Sequence, residues 1–240
     1  MTNNIALKLN NISFAFSKSQ PPFFDNLSID FPANKIHFIC GRNGVGKSVL
    51  LRLIQGSVNA GEQLTGSVEF NGDHIELVHA SLPQRYTNQV RMVHQKFDYM
   101  LADMFSFEEN LRFANFKQLP GLMPLPAFEP LPAFVKTLGI DMHKPAKLLS
   151  GGQRQILATL MMLQKPTKIL LLDEPTAALD DENAAMVMRF IQELVGETGL
   201  TVLIITHDKE LVSQYADGQY YSLFVDQNIG KRILATSSVK

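Results

Sequence analysis

The chain has 240 residues, 45% apolar and 19% charged, with 22 Lys and Arg against 23 Asp and Glu for a net charge of −1. That length suits one large domain, or one domain with a sizeable insert. The composition argues against global disorder, rules out the strongly basic footprint of a dedicated nucleic-acid binder and gives no reason to expect a polybasic membrane patch.

The lone cysteine, Cys40, excludes an internal disulfide framework and a cysteine-based zinc finger, and it reads as a small buried hydrophobe in a reducing compartment. Met1 to Ile5 lacks the basic and apolar regions of a signal peptide. The longest apolar runs, Ile169–Leu172 and Val202–Ile205, fall far short of the ~20 residues of a membrane span, which predicts a soluble chain or a peripheral partner of a membrane protein.

In chain order the pattern alternates strand and helix. Residues 5–16 and 27–31 alternate apolar and polar positions, with Leu27, Ile29 and Phe31 on one side, and predict antiparallel strands with one buried face. Lys35–Cys40 reads as a short apolar strand, 41–46 as a glycine-rich loop, and 47–55 as a helix ended by Gly56. Residues 66–78 predict two strands broken at the turn dipeptide Asn71-Gly72. Residues 106–118 predict a helix with Glu108 and Glu109 near its start.

Pro120, Pro124, Pro126, Pro130 and Pro132 then interrupt regular structure, among Leu122, Met123, Leu125, Phe128 and Leu131. Two readings stay open for this stretch: a connector packed on the neighbouring helices, or a docking surface for another chain. Ser150 reads as the N-cap of a helix over 151–164. Lys168–Asp173 and Leu200–Thr206 read as strands buried on both faces, flanking a helix over 181–195, so the expected core sheet is parallel with right-handed crossovers.

Gly41-Arg42-Asn43-Gly44-Val45-Gly46-Lys47-Ser48 fits G-x-x-x-x-G-K-S/T, between a strand and a helix. Glycines let successive backbone N–H groups converge on phosphate oxygens, and the following helix start adds its positive end. Lys47 can bridge β- and γ-phosphates, and the Ser48 hydroxyl can ligate Mg²⁺. The strand ending in Asp173 and Glu174 places two carboxylates at the carboxyl edge of the sheet, where ligands of parallel α/β sheets bind. Asp173 can hold Mg²⁺ through water, and Glu174 can orient and deprotonate an attacking water. His74 and His79 read as surface polarity, because neither stands in a metal-ligand pattern.

Leu149-Ser150-Gly151-Gly152-Gln153, opening a helix upstream of Asp173, resembles the signature sequence of the ATP-binding cassette (ABC) ATPases. The order of glycine loop, Gln95, signature, Asp173-Glu174, Ala178-Leu179-Asp180 and His207 is similar to that family's motif order, from Phe16 to about Ile233. The resemblance implies an α/β P-loop NTPase fold with a mainly parallel core sheet, an N-terminal antiparallel β subdomain and an inserted helical subdomain. The corresponding division is roughly 1–95 and 165–240 for the ATP-binding core and 96–164 for the helical part.

It further implies ATP as ligand with Mg²⁺. Phe16 would stack on adenine, although the family more often has Tyr there. Gly41, Asn43, Gly44, Val45, Gly46, Lys47, Ser48 and Val49 would line the nucleotide in one subunit. Ser150, Gly151, Gly152, Gln153 and Asp180 would reach it from the opposing one. Ser48, Gln95 and Asp173 would serve Mg²⁺, and Lys47, Gln95, Glu174 and His207 would serve catalysis. The implied partners are a second cassette in a homodimer or pair, integral membrane transport subunits and, for an importer, a solute-binding protein, with no nucleic acid. The implied place is the cytoplasm, peripheral on the inner face of the cell membrane. The expected function is ATP-driven transport, small-solute import in the first instance. A soluble ABC ATPase of an assembly system, as in iron–sulfur cluster biogenesis, is the alternative.

Overall fold

The computed structural model describes residues 4–78, 82–116 and 126–239. The chain opens with β1 (Ile5–Ala15), β2 (Phe24–Pro32), β3 (Ile36–Cys40), α1 (Lys47–Gln55), β4 (Gln63–Phe70) and β5 (Asp73–Val78). It continues with a single turn α2 (Gln84–Thr87), β6 (Val90–Val93), α3 (Phe107–Ala114) and α4 (Gly151–Met162). It ends with β7 (Ile169–Asp173), α5 (Asp181–Thr198), β8 (Thr201–Thr206), α6 (Lys209–Tyr215), β9 (Gln219–Val225) and β10 (Arg232–Ser238).

Two sheets result. An antiparallel sheet runs β2-β1-β4-β5, and a second runs β10-β9-β3-β8-β7-β6. In the second sheet every neighbouring pair is parallel except β10 with β9. β7 and β8 are adjacent interior strands, and their runs Ile169–Leu172 and Val202–Ile205 are fully buried, because side chains on both faces meet other elements. One core lies between the two sheets and holds α1. The other lies across the parallel sheet and gathers α3, α4 and α5 around Phe107, Ile156 and Phe190.

The sequence reading finds the long elements but misplaces several ends. The helix expected over 106–118 spans Phe107–Ala114 behind a capping box of Ser106 and Glu109; residues 117 and 118 lie outside the described residues. α4 stops at Met162 rather than at 164. α5 runs three residues past 195, to Thr198, and ends at Gly199. The structure adds β6, β9, β10, α2 and α6 to the expected elements. β6 has only four residues and owes its extended form to pairing with β7, which its own sequence does not announce.

The proline stretch is described from residue 126 onward. Here Phe128 and Leu131 pack on the second core. The Glu129 N–H donates to Gln164 Oε1 at 2.7 Å and the Ala133 N–H to Glu197 Oε1 at 2.7 Å. This part is a connector tied to the α4 and α5 ends. Pro120, Pro124, Leu122, Met123 and Leu125 lie outside the described residues, as does His79. His74 sits exposed on β5 beside Glu76, 2.8 Å from its carboxylate.

Two of the buried polar side chains in the core, Asn110 and His37, are held by backbone partners, whereas Gln155 Oε1 on α4 has none. Asn110 is fully buried and its side chain closes the loop before α3: it accepts from the Ala102 N–H at 2.8 Å and donates to Ser106 O at 2.9 Å. His37, on β3, lies among Phe31 and Tyr221 with its Nε2 2.7 Å from Pro32 O. Burial, partly countered by that backbone contact, holds its ring pKa below the usual histidine value. The unfolded chain therefore binds a proton more readily than the folded one, and stability is lost as pH falls through the ordinary histidine range. Replacing His37 with Gln is expected to flatten that acid-side loss in denaturant unfolding measured between pH 7 and pH 5. An unchanged pH slope would assign the loss elsewhere.

Candidate functional site

Four neighbouring parallel strands, β3-β8-β7-β6, end on the same edge of the sheet. β3 runs directly into the glycine loop and α1. The residues that follow the other three strands converge. Glu174 comes after β7, Gln95 just after β6, and His207 after β8. Gln95 Nε2 donates to Glu174 Oε2 at 3.1 Å, and His207 Nδ1 lies 2.9 Å from Glu174 Oε1. The Glu174 carboxylate thus has one fixed partner on each oxygen and is largely buried, while His207 is half exposed.

Glu174 also has a left-handed backbone, φ 49°, rare for a residue with a side chain and costing ~1–2 kcal/mol. Its N–H extends the β7–β8 ladder by donating to Ile205 O at 3.0 Å. The turn aims the carboxylate along the strand ends instead of continuing the pleat.

The glycine loop is closed on itself. Gly44 and Gly46 have φ 78° and 111°, which turn successive N–H groups toward one concave side. At Gly46 a side chain has no room, since a Cβ would lie 2.5 Å from the Phe23 ring. Lys47 is buried, and its ammonium donates to Gly41 O at 2.8 Å and Arg42 O at 3.3 Å. That uses two of its three protons on loop carbonyls, a local substitute for the phosphate oxygens the loop can cradle. Val49 packs its side chain on the core, so only its backbone remains for a ligand.

The residues expected to serve Mg²⁺ pass a test of fit. Asp173 has the Ser48 hydroxyl beside its carboxyl. Burial pushes its carboxyl above the usual carboxylate range, helped by the Glu174 charge and opposed by Ser48, His94 and Lys47. An incompletely solvated carboxylate beside a hydroxyl suits a hard divalent cation. Gln95, also expected to serve Mg²⁺, donates to Glu174 instead.

Phe16, at the end of β1, is exposed. Its ring packs edge-on against Phe14 and Phe23, each with a centroid distance of 5.0 Å, leaving an aromatic surface beside the loop.

The signature residues form a separate cluster at the start of α4. Ser150 caps the helix, accepting from the Gln153 N–H, while the Gln153 side chain turns back to accept from the Ser150 N–H at 3.2 Å. Gln153 is therefore engaged in capping its own helix. Asp180 caps α5 by accepting from the Asn183 N–H at 2.8 Å. Asn183 joins the two caps, a role no motif marks. Among the described residues no hydrogen bond links this cluster to the glycine loop.

Two arginines absent from the sequence reading organise the surroundings. Arg154, on α4, donates to Asp98 at 2.7 Å and Asp103 at 2.8 Å, pinning the signature helix to the loop that follows Gln95. Arg232, on β10, donates to Val45 O at 2.9 Å and Phe23 O at 3.2 Å and lies 3.6 Å from the Phe23 ring centroid. It clamps the glycine loop from a strand at the other end of the chain.

A family model described as ABC transporter matches residues 24–177. A putative ABC transporter ATP-binding protein of Onion yellows phytoplasma is 34% identical over 98% of this chain, which spans only 38% of that relative's length. A phosphonates import ATP-binding protein of Synechococcus is 31% identical over 79% of this chain and 72% of its own. Among solved structures, cbiO1 of Clostridium perfringens, described as part of an ABC transporter complex, superposes with a TM-score of 0.76 at 22% identity, over 99% of this chain and 90% of its own. That last likeness speaks to the fold.

Replacing Arg232 with Met keeps the apolar stem and removes the clamp. Nucleotide titration is expected to show affinity for ATP weakened about 5- to 20-fold, the scale of one or two lost charge-assisted hydrogen bonds to the loop. Unchanged affinity would mean that the loop holds its shape without Arg232.

Proposed function

Because this chain belongs to the ABC transporter family, whose model it matches over most of its length, we propose that it hydrolyses ATP to power transport through partner membrane subunits, as the motor of a small-solute importer. The observation that carries the catalytic half is the Glu174 carboxylate held between Gln95 and His207 beside the glycine loop.

ATP would bind with its phosphates on the loop N–H groups and Lys47, and its adenine on Phe16. Ser48 and Asp173 would hold Mg²⁺, which supplies charge neutralisation on the β- and γ-phosphates. Glu174 orients a water and takes its proton while the water oxygen bonds to the γ-phosphorus. The bond from that phosphorus to the bridging oxygen breaks, and ADP leaves with the electron pair. Gln95 and His207 fix the carboxylate on that water, and His207 has a second ring nitrogen for the phosphate. Ser150 and Gly152 of a second cassette complete the cage, since a helix start offers free donors to an anion. Binding closes the pair and hydrolysis reopens it.

The transport half draws support from an apolar surface beside the loop after Gln95. Tyr99, Met104, Phe105, Phe113 and Leu148 are exposed there, and Phe105 and Phe113 touch at 6.4 Å between ring centroids. Arg154 ties this surface to the signature helix, so a partner seated on it would sense closure of the pair. Import, rather than export, rests on similarity to a relative named for import.

Replacing Glu174 with Gln is expected to preserve ATP binding and cut steady-state turnover at least ~100-fold, as removal of a general base does. Near-normal hydrolysis by this variant would overturn the assignment of the base. The same variant, trapped with ATP in detergent-solubilised native membranes, is expected to co-purify with a polytopic membrane protein in stoichiometric amount. Recovery of soluble partners alone after crosslinking would replace the transporter reading with that of an assembly ATPase.

A further inference from the structure

The Asn183 side chain, in the first turn of α5, bonds at both ends. Its Oδ1 accepts from the Ser150 hydroxyl at 2.7 Å and from the Gly152 N–H at 3.2 Å. Its Nδ2 donates to both carboxylate oxygens of Asp180, each at 2.9 Å. The amide orientation is fixed by chemistry: a backbone N–H only donates and a carboxylate only accepts, so the oxygen must face the signature and the nitrogen must face Asp180. Gly152 has to be glycine for this approach, because a Cβ there would lie 2.8 Å from Asn183 Oδ1.

Ser150 and Gly152 are the donors assigned above to the γ-phosphate of ATP on a second cassette. A hydroxyl carries one proton, and in the single chain Ser150 gives it to Asn183. The Asn183 carbonyl therefore stands where an anionic oxygen would be welcome, bound to two donors that converge on it. We infer that Asn183 is a positioning residue that restrains the signature: it holds the Ser150 and Gly152 donors inside the unpaired chain, and pairing around ATP must break these bonds before the donors can turn to the phosphate. The bonds from Nδ2 to Asp180 keep the amide from rotating away, so release of the signature and movement of Asp180 are one event. Asn183 contributes nothing to the bound phosphate; it sets how much of the ATP binding energy is consumed in closing the pair.

This inference rests on the sandwich reading under Proposed function. The test measures ATP-driven dimerisation of purified full-length chain in the Glu174→Gln background, by sedimentation against protein concentration with ATP. The variants are Asn183→Ala and, as a second replacement of similar size, Asn183→Leu. Both leave the Asn183 backbone N–H that donates to the capping Asp180. Each released bond is worth a net ~0.5–1.5 kcal/mol, or about 2- to 10-fold; each chain releases two and a symmetric pair has two chains, so dimerisation is expected to tighten at least ~16-fold. With Ser150→Ala already in place the same Asn183 replacement is expected to have a smaller effect, because only the Gly152 bond is left to release. A purely structural role predicts the reverse: a lower unfolding midpoint and weaker dimerisation, equally with and without Ser150. That outcome, or unchanged dimerisation in both replacements, overturns the inference and leaves the sandwich intact. Failure of the Glu174→Gln chain itself to dimerise with ATP overturns the sandwich reading, and the inference falls with it.

Discussion

Everything at the site depends on four strands ending together. The parallel register of β3, β8, β7 and β6 brings residue 41, residue 207, residue 174 and residue 95 to one edge, although 166 positions separate the first two in the chain. In a parallel sheet all strand carbonyl ends point the same way, and the connections back to the other edge are made by α1, α4 and α5. No antiparallel arrangement of these segments would align the glycine loop with the carboxylates. The full burial of β7 and β8 makes that alignment stiff, because a slip of one residue would move Asp173 and Glu174 to opposite faces.

Stiffness at the strand ends is combined with local tension. Glu174 has a left-handed backbone, Lys47 is buried on its own loop carbonyls, and Asp173 is a carboxyl pushed toward neutrality by burial. A left-handed backbone at a residue with a side chain and a desolvated carboxyl are each unfavourable for the folded chain. This pattern is expected where a binding site is pre-formed and its stability is completed by what it binds.

The second cluster behaves differently. Ser150, Gly152, Asn183 and Asp180 satisfy one another within the chain, and Arg154 connects their helix to the loop after Gln95. Here the polar groups have partners already, so any ligand must compete. One half of the machinery waits for a ligand while the other half is internally restrained. Under the proposed function, a pair of chains exchanging these halves would need nucleotide to pull them together.

The glycine loop and the Asp173-Glu174 pair are legible in the sequence because each is contiguous. Their chemistry follows from residue type and spacing over fewer than ten positions, whereas the signature is recognised through resemblance, and the apolar runs of β7 and β8 are long enough to declare themselves. Gln95 and His207 could be assigned only through resemblance, since a lone glutamine or histidine after a strand carries no local signal. The sequence by itself determined the alternating α/β order, the phosphate loop and the two strand-end carboxylates. Tertiary structure alone decided that Gln95 and His207 meet Glu174, that Arg232 clamps Val45, and that Asn183 bridges the caps of α4 and α5. Those contacts join residues far apart in the chain, and their partners exist only once sheet order and helix packing have fixed which distant ends are neighbours.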